Sequence, residues 1–214
     1  MLTKYEISQV LSILKQKYNH RTTALIFVTP FQLLISTMLA AQSTDVQVNL
    51  VTKKLFNQYR NAYAFLNLNL ETLENKIKTV GLYKSKAKNI LATCHMLVQN
   101  YGGEIPTTRE ELMQLPGVGR KTANVVLSIA FGMQAIAVDT HVFRVSNRVG
   151  LANAADVTNA ENQLMKNIPQ KNWSAAHHWL IWHGRQICKA RNPLCNTCFL
   201  ATYCLYYKNN NKEV

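Results

Sequence analysis

Leu115-Pro116-Gly117-Val118-Gly119-Arg120-Lys121-Thr122-Ala123 is the run on which the reading of this chain turns. A proline and two glycines this close together make a tight reversal, and the residues that follow open a helix. Both glycines are expected to take positive φ and to keep side chains out of the way of a ligand. Val118 between them is expected to pin the loop to a core, with the amides of 117–119 turned outward. A helix start leaves backbone N–H groups unpaired and carries partial positive charge, so it attracts phosphate. Gly117, Val118, Gly119 and Arg120 are therefore candidate contacts to a nucleic-acid backbone, of the kind that positions a duplex without reading its sequence. Lys121 falls in the first turn. A cation is disfavoured there, so the amine gives up its proton more readily and becomes a candidate nucleophile.

The lysine needs a partner, and Asp139-Thr140-His141 offers one. Asp139 follows the apolar linker Ala135-Ile136-Ala137-Val138 and precedes a helical pattern, so it reads equally as a helix cap. Two successive helices packed antiparallel put their starts at opposite ends, so spacing alone leaves open whether Lys121 and Asp139 meet. His141 reads as a packed or surface histidine.

Composition points the same way. The 214 residues include 24 basic and 11 acidic ones, a formal charge of +13. That excess suits a polyanion. Nothing reaches the roughly 20 apolar residues of a membrane span, and the start lacks a signal-peptide pattern. Leu2, Ile7, Val10, Leu11, Leu14 and Tyr18 instead recur at helical spacing. These features predict an intracellular protein in a reducing compartment, where five cysteines do not form a disulfide frame.

Helical patterning dominates. Helices are expected over residues 3–18, 30–40, 44–58, 70–79, 83–100, 108–115, 120–131, 140–149, 158–168 and 173–188, with no sheet. Pro30 suits a first helical position, Ser43-Thr44-Asp45 offers a cap, and Thr108 with Glu111 has capping-box spacing. Gly102, Gly132 and Gly150 stand where helices should stop. The polar run 208–214 reads as a frayed tail.

Cys188, Cys195, Cys198 and Cys204 form C-x6-C-x2-C-x5-C. Four thiols in a short basic loop indicate a metal site. Zinc sites commonly pair two C-x2-C knuckles and this loop has one, so the spacing favours an iron–sulfur cluster over zinc, with a disulfide third. Lys189 and Arg191, between the first two ligands, are candidates for a second phosphate contact. Cys94 reads as a lone core thiol.

Taken together, Leu115–Ala123, Val138-Asp139-Thr140-His141-Val142 with Arg144, His183-Gly184-Arg185 and the four cysteines resemble the endonuclease III family of helix-hairpin-helix DNA glycosylases. Leu39-Ala40-Ala41-Gln42-Ser43-Thr44-Asp45 and Val80-Gly81-Leu82-Tyr83 are similar to further family segments. The resemblance spans almost the whole chain. It implies an all-α, two-lobed fold: a helical bundle over 22–133 carrying the hairpin, and a discontinuous domain of 1–21 with 134–214 carrying a [4Fe–4S] cluster on the four cysteines. It implies Lys121 as the Schiff-base lysine, Asp139 as the essential carboxylate, and Gln42 and Leu82 as residues that enter the base stack. The expected activity is removal of oxidised pyrimidines from duplex DNA in base-excision repair, followed by strand cleavage 3′ to the abasic site. The expected setting is a monomer in the cytoplasm, with the nucleoid.

Alternatives are a monofunctional or pyrimidine-dimer-specific relative and a non-catalytic iron–sulfur DNA-binding protein. The adenine-removing branch typically lacks a lysine at this hairpin position and carries an extra C-terminal domain, so Lys121 and the short chain argue against it.

Overall fold

The computed structural model describes residues 1–210, and every regular element among them is helical. In chain order the α-helices are α1 Lys4–Tyr18, α2 Pro30–Ala40, α3 Asp45–Gln58, α4 Ala62–Phe65, α5 Leu70–Ile77, α6 Tyr83–Tyr101, α7 Arg109–Gln114, α8 Arg120–Ala130, α9 Thr140–Val149, α10 Val157–Asn167, α11 Trp173–Gln186 and α12 Leu205–Asn210. The chain divides into two compact units, Ala24–Met133 and a discontinuous one of Met1–Thr23 with Gln134–Val214.

Side-chain caps set most helix starts. Thr29, Thr44, Asn61, Asn69 and Thr108 each accept from the amide three residues on, which satisfies one of the orphan donors of a helix start. Pro30 takes the first helical position. Gly102 and Gly150 end α6 and α9 in the left-handed region, as a helix stop requires.

In the Ala24–Met133 unit, α2 is buried nearly all round. Phe31, Leu33, Leu34, Ile35, Met38 and Leu39 are all in the core. Such a helix belongs at the centre of a bundle, and α3, α6 and α8 pack on it. Leu34 is wholly buried, so truncation to alanine costs about 2–5 kcal/mol. From α6, Ala87, Ile90, Cys94 and Leu97 complete the same core. Cys94 is the lone core thiol expected, and burial pushes its pKa up to about 12.

In the other unit, the apolar stripe of α1 (Ile7, Val10, Leu11, Leu14, Tyr18) packs with Trp179 and Leu180 of α11. The Leu2 amide donates to the Gly150 carbonyl at 2.9 Å, which ties the start of the chain to the end of α9. Ile136, Ala137 and Val138 form the buried linker that leads into α9, with no strand.

Two short helices, α4 and α12, were not expected from the pattern. The second changes the reading of the tail. Lys208 through Asn210 are helical, with the Lys208 amide donating to the Cys204 carbonyl at 3.0 Å and its ammonium 3.6 Å from Glu6. Residues 211–214 of the expected frayed tail lie outside the described residues.

Candidate DNA-binding and catalytic site

The hairpin between α7 and α8 is built as a four-residue turn. The Val118 amide donates to the Leu115 carbonyl at 3.0 Å, with Pro116 and Gly117 between them. Gly117 has φ +78°, which suits the third position of a type II turn. A Cβ there would also meet the Asn89 side chain at 2.8 Å. From α6, Thr93 donates its hydroxyl to the Pro116 carbonyl at 2.9 Å. Leu115 and Val118 are buried. The turn is therefore held from below by α6 and anchored at both ends.

Two expectations about this turn need correction. Gly119 has φ −91° and ψ 175°, ordinary extended backbone that any residue adopts. Only Gly117 needs glycine for its conformation. At Gly119 an added Cβ would meet nothing within 4 Å, so a side chain there would project into the open space before α8. The second correction concerns Val118, whose amide is spent inside the turn and does not face outward. Gly119 itself caps α8, and no side chain caps that start. Arg120 and Lys121 occupy the first turn, Arg120 half-buried and Lys121 exposed.

Gln42 and Leu82 come together in the same unit. Both are exposed and both take the left-handed region, at φ +52° and +57°. That conformation costs a non-glycine residue free energy and marks a place where the surroundings impose the geometry. Gly81 supplies part of the constraint. Its amide donates to the Ser43 hydroxyl at 3.0 Å, and a Cβ on it would stand 2.8 Å from the Gln42 carbonyl. Leu82 is 56% exposed, an apolar side chain held out into water at the start of α6.

Asp139 belongs to the other unit, where it caps α9. The Val142 amide donates to its Oδ1 at 2.8 Å. His141, in the first turn of α9, lies 3.1 Å from the Arg144 guanidinium. Burial lowers the pKa of His141, the Asp139 carboxylate opposes that shift, and Arg144 and Arg185 add to it. Gly184 of α11 packs closely here, since a Cβ would approach the His141 and Arg144 side chains at 3.0–3.1 Å.

The same helix carries two arginines that hold the cysteine loop. Arg144 donates to the Cys188 carbonyl at 3.1 Å and to the Gly184 carbonyl at 3.0 Å. Arg148 donates to the carbonyls of Lys189 (2.7 Å) and Ala190 (3.1 Å) and lies 3.7 Å from the Cys188 sulfur. Its guanidinium also stacks on Tyr206 at 4.8 Å. Lys189 and Arg191 are exposed on this loop. The spacing of 144 and 148 places both arginines on one helical face. That was legible, but not the loop they would grip.

The four loop cysteines form no disulfide; three are half-buried and Cys204 is buried. Among the described residues, no three His, Cys, Asp or Glu side chains converge as a single bound ion would require. A polynuclear cluster holds its ligands at separate corners, so its four thiols need not converge on one point. The chemistry of the donors fits. Burial, joined by the neighbouring Cys204, Cys188 and Cys195, pushes the Cys198 thiol up to about 11. Four thiolates in this place require cationic metal among them. An imidazole joins the Arg148 guanidinium beside the set: His183 Nε2 lies 3.6 Å from the Cys198 sulfur, and Tyr18 meets the other ring nitrogen at 3.5 Å.

A helix-hairpin-helix, an uncapped helix start bearing a lysine and a four-cysteine loop define a class of iron–sulfur DNA repair proteins. The family model of the HhH-GPD superfamily base excision DNA repair proteins matches residues 35–170, and that of the iron-sulfur binding domain of endonuclease III matches 188–204. Endonuclease III of Escherichia coli (strain K12) is 47% identical over 96% of this chain and 97% of its own. Endonuclease III of Bacillus subtilis (strain 168) is 45% identical over 100% of this chain and 98% of its own. The solved structure of a non-covalent endonuclease III–DNA complex superposes with a TM-score of 0.94 at 48% identity, covering 98% of this chain and 99% of that one. A trapped endonuclease III–DNA covalent intermediate matches equally well. The chain belongs to the endonuclease III family. It is a base-excision DNA glycosylase with lyase activity, it acts on DNA, and its cofactor is a [4Fe–4S] cluster. No described helix is long and apolar enough to cross a membrane.

Proposed function

We propose that the chain removes oxidised pyrimidines from duplex DNA and cuts the strand at the abasic site, with Lys121 as nucleophile and Asp139 as the assisting carboxylate. The observation that carries this reading is the exposed Lys121 in the first turn of a helix that no side chain caps. A helix start of this kind receives a phosphate and leaves the amine beside it accessible.

The target base must first leave the stack, at a cost of a few kcal/mol. Leu82 and Gln42 enter the gap and offset that cost. Gly117, Gly119 and Arg120 hold the backbone on the hairpin side. Lys189 and Arg191 make a second backbone contact.

The neutral amine of Lys121 then attacks C1′, and the C1′–N bond breaks as the base departs. Positive charge grows on the sugar, and a carboxylate opposes it. Asp139 Oδ1 is committed to the Val142 amide, which leaves Oδ2 for this task and for accepting a proton from the amine. Ring opening gives an imine between Lys121 and C1′. The imine acidifies C2′, and loss of that proton expels the 3′ phosphate. The [4Fe–4S] cluster, on Cys188, Cys195, Cys198 and Cys204, supplies a structural cross-link for the loop bearing Lys189 and Arg191. A DNA substrate supports a setting in the cytoplasm with the nucleoid.

Borohydride added to a reaction on thymine glycol DNA should trap a covalent adduct. A Lys121→Ala protein that still formed the adduct would sink the assignment.

A further inference from the structure

The loops that carry Gln42 and Leu82 share one buried cation. Lys86, in the first turn of α6, is only 6% exposed. Its ammonium donates to the Leu39 carbonyl at 2.8 Å, the Ala41 carbonyl at 2.5 Å and the Ser43 hydroxyl at 3.3 Å. Two of these acceptors lie at the C-terminal end of α2, where carbonyls lack helical partners and carry partial negative charge. An ammonium has three N–H donors, and all three are used.

The third acceptor joins the two loops. Ser43 Oγ takes a hydrogen bond from Lys86 and another from the Gly81 amide. The Lys86 amide closes the first turn of α6 on the Leu82 carbonyl at 3.1 Å. The side chain of Lys86 thus braces residues 39–43, and its backbone braces residue 82. Between these braces stand the two residues with left-handed backbones, Gln42 and Leu82.

Burial disfavours the charged form and lowers the Lys86 pKa, so an ammonium kept here needs its acceptors. A second nucleophile would need a lone pair turned toward a substrate, and three engaged donors inside the protein leave none.

We propose that Lys86 is a positioning residue for base extrusion, which by capping α2 holds Gln42 and Leu82 in the backbone form that enters the base stack. The proposal rests on the reading of those two residues as the wedge. Lys86 touches neither DNA nor the reacting atoms. Without the ammonium, the carbonyls of Leu39 and Ala41 are left unpaired and the two strained residues relax. Extrusion of a stacked, paired base then slows, while chemistry on a base already outside the stack does not.

The test compares the full-length holoenzyme with Lys86→Met, Ser43→Ala and Leu82→Ala, with the active fraction counted by borohydride trapping. One substrate carries thymine glycol paired with adenine and 2-aminopurine beside it. The other carries the lesion in a bulge, where no pair has to open. Lys86→Met is expected to slow single-turnover base release from the paired lesion about tenfold, a rise of about 1.4 kcal/mol in the barrier. It should blunt the rise in 2-aminopurine fluorescence and leave the bulged substrate nearly unchanged. Equal slowing on both substrates, or no slowing on either, overturns the proposal. If Lys86→Met fails to fold, Ser43→Ala carries the same comparison with a smaller effect in the same direction. Leu82→Ala separates the two ideas: normal extrusion in that variant removes the wedge itself, whereas defective extrusion there beside normal extrusion in Lys86→Met removes only the role of the lysine.

Discussion

Arg148 donates from Nη1 to the carbonyl oxygen of Lys189 at 2.7 Å. The helix that Asp139 caps is therefore also the helix that grips the cysteine loop. One rigid element sets both the carboxylate and the basic loop, since α9 runs unbroken from Thr140 to Val149. Replacing Arg148 by alanine removes donors from two carbonyls and from the Cys188 sulfur. We expect a loss of about 1.5–3 kcal/mol in loop stability, the range for hydrogen bonds made by a charged group. The visible absorbance of the cluster should bleach faster under oxygen than in the parent protein. DNA affinity should fall with it. An unchanged bleaching rate would show that the loop does not depend on α9.

Asp139 caps α9, and substitution can separate that cap from the catalytic role proposed for its carboxylate. Asparagine caps helices about as well as aspartate, so Asp139→Asn should melt within about 1 °C of the parent, given that ΔΔG of 1 kcal/mol moves the melting temperature by a few degrees. Its turnover should fall by about 10²–10⁴, the usual worth of a positioned acid–base group. Asp139→Ala should lose the turnover and, in addition, about 1 kcal/mol of stability. Circular dichroism melts and single-turnover rates on the same preparations distinguish the two.

The two hairpin glycines should behave differently. Gly117→Ala forces a side chain into φ +78° and against Asn89, a strain of about 1–3 kcal/mol. Gly119→Ala meets no atom and needs no unusual angle. It should leave the melting temperature unchanged and weaken binding to undamaged duplex, because the new methyl stands before the α8 start. Equal binding by Gly119→Ala and the parent in a salt titration would argue against phosphate at that position.

Acid should destabilise the fold through a half-buried histidine, His178. Burial lowers His178 from 6.5 to about 4. As pH falls from about 6.5 toward 4, the unfolded chain takes up a proton there that the folded chain refuses. Stability is therefore full above this window and declines through it. Melting temperatures across the window should drop less steeply in His178→Gln, whose side chain does not titrate. Parallel slopes would exclude this residue as a cause.

Much of the frame was legible in the chain itself. Caps, glycine stops and apolar periodicity are local signals, and they located every long helix to within a few residues. The Leu115–Ala123 run announced its turn, because Pro-Gly followed by a helix former leaves the backbone few options. The four cysteines announced a metal loop by spacing alone. Lys86 was missed although its position carried a signal. It shares a helical face with Ile90, Thr93 and Leu97, all fully buried, and a lysine on such a face must find acceptors.

Folding in space decided the rest. Local pattern does not say that Gly119 is extended while Gly117 is left-handed, since glycine accommodates both. Nor does it show that Leu82 and Gln42 share a strained backbone, because the bond joining their two loops, from the Gly81 amide to the Ser43 hydroxyl, spans 38 residues. The partners of Arg144 and Arg148 lie some forty residues on, across a contact that exists only once α9 and α11 have packed. Periodicity reports which face of a helix avoids water. Which distant carbonyl then meets a buried cation depends on how the packed helices are arranged, and no window along the chain contains that information.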